Sequence, residues 1–177
     1  MKMHAYKDIR ENIQTGDIIL YSGGEVRSMA VRVATRSIWG HVAIVLKSEE
    51  DGRVLCWEAT DRKHNLNDVE AGKPLRGVQL TYLSERVAHH KGKLAIRHLR
   101  GVTIDTPMKK NLMKLKAQLT GRAYEKNRVE LLKSWIDLGK FSHNKEDLSS
   151  VFCSELVAEA YQALGLLQEP PLGLPSN

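Results

Sequence analysis

The sequence predicts a single α+β domain in which a mainly antiparallel sheet packs against helices. Three observations lead there. The runs HVAIVL and VLCWEA are separated by little more than Glu49-Glu50-Asp51-Gly52, which is hairpin chemistry. The strand-like segments then follow one another and the helical ones come after, without the alternation that builds a parallel sheet. Finally, a chain of 177 residues, 42% of them hydrophobic, can bury one ordinary core unaided. With no internal repeat and no low-complexity linker, residues 1–177 are expected to form one domain.

In chain order, Thr15-Gly16-Asp17 is a turn that opens the apolar run IILY, a strand over 17–21. After Gly23-Gly24, Val26, Met29, Ala30 and Val33 recur at the spacing of one helix face. The β-branched run at 41–46 is nearly continuous, whereas 54–59 alternates more. Further strands are expected at 77–80 and 93–98. A helix should start with Pro107 in its first turn, pass through Leu112, Leu115 and Leu119, and stop at Gly121. The stretch 127–138 is a shorter helical segment. The last helix is expected over Val151–Leu164, capped by Ser149 or Ser150 and ended by Gly165. The prolines of EPPLGLPSN do not allow it to continue.

Composition narrows the function classes. A net charge of +6 and a pI near 9.3 favour anionic surfaces or substrates without identifying them. Only 6% of residues are aromatic, and the basic residues are scattered except for Lys109, Lys110, Lys114 and Lys116. At helical spacing that cluster reads as a solvated face, so specific nucleic-acid binding is not expected. The two cysteines, Cys56 and Cys153, are too few for a disulfide framework and read as free thiols. The amino terminus mixes charge throughout and lacks the apolar core of a secretory signal, and no run of about eighteen apolar residues marks a transmembrane helix. The expected compartment is the cytoplasm, with peripheral membrane contact left open. His89, His90 and His98 lack the paired spacing of a metal site, and neither a metal nor another cofactor is expected.

Three residues carry candidate chemistry. Cys153 falls at the expected start of the last helix, where free N–H groups and the positive end of the macrodipole stabilise a thiolate. Its neighbours at i+3, i+4 and i+7 are Leu156, Val157 and Ala160, so the bland reading is an inert cysteine on an apolar face. His41 opens an apolar strand directly after Trp39-Gly40, which holds a base rigidly; a surface histidine at a strand start is the alternative. Glu58 lies on the strand joined to the His41 strand by the 49–52 turn. There a carboxylate can accept the far imidazole N–H and fix its tautomer, or else simply face solvent. Cys56 shares a sheet face with Glu58, Trp57 takes the other, and both Cys56 and Trp57 are expected in the core.

The segments TGDIILYSG, SIWGHVAIVL, VLCWEAT and LSSVFCSELVAEAYQALGLL resemble the circularly permuted papain-like, NlpC-type cysteine peptidases, close to their YiiX-like branch. Lecithin:retinol acyltransferase-like enzymes share the permuted order, in which the histidine strand precedes the cysteine helix. The resemblance runs from about Thr15 to Leu167. It implies a permuted papain-like fold with a C-terminal nucleophile helix, Cys153 as nucleophile, His41 as general base and Glu58 as the residue that orients the ring. It also places Tyr21 and Tyr124 beside the substrate pocket, where Tyr21 could offer a hydroxyl to an oxyanion; a packed strand tyrosine and a helix-end aromatic are the alternatives. The backbone N–H of Cys153 is expected as an oxyanion donor.

The expected activity is therefore cysteine-dependent hydrolysis of an amide, in a peptide or a cell-wall-type amino-acid linkage, through a thioester. A lipid-linked acyltransferase or thioesterase acting on an acyl lipid with the same site is the second reading. A binding module with a relic site is the third. Substrate and oligomeric state are not legible at this level.

Overall fold

A computed structural model of the protein describes residues 4–23, 37–60, 66–120 and 145–168, the last of these with side chains from Cys153 onward. A short helix α1 (Tyr6–Ile9) and a 3₁₀ turn (Arg10–Asn12) lead into β1 (Ile18–Ser22). The sheet continues with β2 (His41–Lys47), β3 (Val54–Thr60), β4 (Gly77–Tyr82) and β5 (Lys93–Arg97), with α2 (Leu83–His89) between the last two. Two longer helices follow, α3 (Thr106–Leu119) and α4 (Lys145–Ala163). The helical segments expected around Val26–Val33 and at 127–138 lie outside the described residues.

All five strands pair antiparallel in the order β4-β3-β2-β1-β5. The β2–β3 hairpin follows from its turn. Ser48 N–H donates to the Arg53 carbonyl at 2.9 Å, and Gly52 takes a φ of +65°, which a side-chain-bearing residue adopts only at a cost. The turn fixes the register at Ile44 opposite Trp57 and Val45 opposite Cys56. At the start of β1, Gly16 has a φ of +90°, and a Cβ there would sit 2.8 Å from Ile104 Cδ1. Asp17, buried next to it, accepts backbone N–H groups from Gln14 and Leu99, both at 2.9 Å, and bonds His98 Nδ1 at 2.8 Å. That carboxylate ties the entry of β1 to the chain leaving β5.

The sheet is covered on both faces, which is why β2 reads as an unbroken apolar run. Ile44, Leu46, Trp57, Ala59, Val78 and Leu80 pack under Leu112 of α3, under Leu156 and Ala160 of α4, and under Leu164 just past its end. Ile19, Tyr21, Ala43, Val45 and Cys56 form the second cluster, closed by Ile13 and by Leu83 of α2. Full burial of each large apolar side chain contributes roughly 1.5–3 kcal/mol. Asp105 caps α3 by accepting the Met108 N–H at 2.9 Å, and Pro107 occupies its first turn as expected.

The last helix departs from the expectation. It begins at Lys145, not at a Ser149 or Ser150 cap, so Cys153 lies in its third turn. The segment KEDL upstream of the serines contains no helix breaker, and acidic residues favour a helix amino terminus, so the helix extends back through them. Two expectations lose their basis: the free N–H groups of a helix start do not surround Cys153, and its own N–H has an intrahelical carbonyl partner instead of an oxyanion.

Candidate active site

β2 and β3 deliver the first two groups. Extending the observed register puts His41 opposite Thr60, so His41 and Glu58 lie diagonally on one face of the sheet. His41 Nε2 donates to Glu58 Oε2 at 2.7 Å. α4 packs against both strands and brings Cys153, 2% exposed, into hydrogen-bond and charge contact with His41. With Nε2 committed to Glu58, Nδ1 is the ring nitrogen left for the thiol. The His41 side chain is 11% exposed, so one edge of the group still meets solvent.

Burial alone would pull the His41 imidazolium down, but the Cys153 charge and hydrogen bond, together with those of Glu58, hold its pKa up at about 9. The ring is thus a cation at neutral pH, between the Cys153 sulfur and a buried carboxylate. Such an arrangement can deliver sulfur as a nucleophile and return a proton from the ring to a leaving group.

Sequence reasoning missed what lies behind Glu58. The carboxylate is fully buried, and Arg86 of α2 donates from Nε to Oε1 at 2.9 Å and from Nη2 to Oε2 at 3.4 Å. Gln79 of β4, directly opposite Glu58 in the register, donates from Nε2 to Oε1 at 3.0 Å. Burial would lower the pKa of the guanidinium, yet Glu58 drives it above its ordinary value. The segment LSERVAHH resembles an exposed charged helix, and its one signal was positional: Arg86 falls three residues after buried Leu83, on the inward stripe.

Tyr21 is placed beside the site but not as a hydroxyl donor to a pocket. It is fully buried, its ring centroid lies 5.2 Å from that of His41, and its hydroxyl shares a hydrogen bond with Cys56 Sγ at 3.2 Å. Arg86 lies over the Tyr21 ring, 4.8 Å from its centroid. Burial, then the nearby Cys56 and Glu58, push its phenol well above the usual range, so the group acts as packing under the imidazole. Cys56 and Trp57 are in the core, as expected, and burial first of all drives the Cys56 thiol far above its ordinary pKa. Tyr124 lies outside the described residues. The three histidines considered for a metal are dispersed: His98 bonds Asp17, His89 bonds the Glu85 carbonyl at 2.9 Å, and His90 packs edge-on against Tyr21. Among the described residues no group of three or more His, Cys, Asp or Glu side chains could hold a metal ion.

Residues 12–170 match the family described as "Permuted papain-like amidase enzyme, YaeF/YiiX, C92 family". Among solved structures the chain is similar to one titled "Crystal structure of metalloprotein yiiX from Escherichia coli O157:H7", with 25% sequence identity and a TM-score of 0.55. The likeness covers 86% of this chain and 67% of that one. No curated protein matches the chain.

Proposed function

Because the chain belongs to the permuted papain-like amidase family, we propose that it is a cysteine amidase whose working groups are Cys153, His41 and Glu58. The observation that carries the assignment is the unbroken contact series from Cys153 through His41 to Glu58, with the imidazole held cationic. In the proposed reaction the Cys153 thiolate attacks an amide carbonyl carbon, and the resulting oxyanion collapses with cleavage of the C–N bond. His41 gives its Nδ1 proton to the departing amine. The neutral ring then takes a proton from the water that attacks the thioester, which releases the acid and restores the thiolate–imidazolium pair. Glu58 holds the tautomer and stays ionised throughout. A peptide or a cell-wall-type amino-acid linkage is the proposed substrate class. The similar Escherichia coli protein is titled a metalloprotein; the His, Cys, Asp and Glu side chains described in this chain do not gather into a metal set.

In this reading Cys153 is the reactive thiol. Brief iodoacetamide treatment at neutral pH, read by peptide mass spectrometry, should label Cys153 well before Cys56, whose thiol is sealed in the core. His41→Ala should slow that labelling strongly near pH 6, where the imidazolium is present. Above pH 9, where the ring has lost its proton, the effect should be small. Equal slowing at both ends would separate His41 from the thiol.

The substrate class is tested by a panel of dipeptide amides, acyl-lysines and phospholipids. Turnover of the amides, lost in Cys153→Ala, is the expected result. Turnover of the phospholipids alone would replace the amide reading with lipid acyl transfer.

A further inference from the structure

The carboxylate that orients His41 carries a second cationic partner besides the histidine. Two cationic groups, Arg86 and His41, meet the Glu58 carboxylate and the Cys153 sulfur. Arg86 reaches both Glu58 oxygens, at 2.9 and 3.4 Å, from a position that is itself 5% exposed. Gln79 fixes Oε1 from the side, which turns Oε2 toward the imidazole. Among the described residues, the other titratable groups packed around the carboxylate and the ring include Tyr21 from β1, Cys56 from β3 and His90 after α2. Tyr21 and Cys56 are both driven toward their neutral forms, and His90 likewise, by burial and by Arg86. None of the three supplies a compensating charge at neutral pH.

We propose that Arg86 is a positioning residue of the site: it neutralises Glu58 within the core, so that the charge of the His41 imidazolium is left to stabilise the Cys153 thiolate. Without Arg86, the Glu58 charge at 2.7 Å from His41 is no longer balanced and draws on the imidazolium. The cluster then holds two anions against one cation, and the cheapest relief is a proton on the sulfur. Arg86 touches neither the thiol nor the imidazole through a described hydrogen bond; it acts through Glu58. This inference rests on the assignment of Cys153 and His41 as the working pair.

The rate of Cys153 alkylation by iodoacetamide, followed from pH 4 to pH 10, tests the two claims separately and needs no substrate. In the native chain the acid limb of that profile reports thiolate formation. A native profile with no limb below the ordinary thiol range would overturn the working pair itself. Given that limb, Arg86→Gln should move it upward by about one pH unit, which is about a tenfold slower reaction at a fixed acidic pH. Arg86→Lys, which keeps the charge, should return most of the shift. The double variant Glu58→Gln/Arg86→Gln removes one charge of each sign and should place the acid limb close to its native position, and it replaces the single variant if Arg86→Gln does not fold. An unmoved limb in folded Arg86→Gln, the same shift with lysine as with glutamine, or a full shift in the double variant would each overturn the role of Arg86 while leaving the Cys153–His41 pair intact.

Discussion

Cys153→Ala is expected to abolish amide hydrolysis, by about 10⁴-fold or more, which corresponds to a barrier higher by at least about 5.5 kcal/mol. No other described thiol can substitute, because Cys56 is sealed beneath Tyr21 and its sulfur is engaged by the tyrosine hydroxyl. Removing one sulfur atom from a site 2% exposed leaves only a small void, so the melting temperature should move by no more than a few degrees. The measurement is turnover of any amide accepted by the native chain, with thermal melting run in parallel. Residual activity above about 1% of the native rate would remove the thiol from the reaction.

Glu58→Gln should show the second large effect, and it should appear in two observables at once. The amide keeps the size of the carboxylate and can still accept the His41 N–H, but it no longer stabilises the imidazolium. A catalytic rate lower by about ten- to a thousand-fold, or about 1.4–4 kcal/mol of barrier, is expected with KM little changed. The substitution also strands Arg86, a guanidinium whose described anionic partner is Glu58 and which has almost no access to water. Breaking one side of such a buried pair costs about 3–5 kcal/mol, so urea unfolding should show a clear loss of stability as well. A normal rate with normal stability would mean that Glu58 is an ordinary strand residue, and a loss confined to KM would make it a substrate-binding group.

The His41–Glu58 pairing was legible because it depends on parity. A short turn closed by Gly52 sets the β2–β3 register, and a period of two then decides that Glu58 shares a face with Cys56 and reaches back toward the strand start. The antiparallel sheet and the apolar covering of α3 and α4 were legible for the same reason, since strand and helix periods are local properties of the chain. Arg86 was not. A charged residue in LSERVAHH is ordinarily solvated, and only the burial of Glu58, a fact about another strand, creates a place for it. The start of α4 was misplaced because Ser149 and Ser150 are good caps, but the residues before them are equally good helix formers. Local preference there allowed two answers.

Tyr161 of α4 donates its hydroxyl to the Gly16 carbonyl at 2.7 Å, two turns beyond Cys153 on the same helix. The contact joins one of the earliest segments of the fold to the latest described helix, and its direction matters when the chain is made. A ribosome releases Gly16, His41, Glu58 and Arg86 well before Cys153. The strands are thus synthesised ahead of the thiol, but the face that carries Ile44, Leu46 and Trp57 is covered only once α4 is present. A chain that stalls before α4 therefore carries His41 and Glu58 without Cys153, and it lacks the hydroxyl that holds the Gly16 carbonyl.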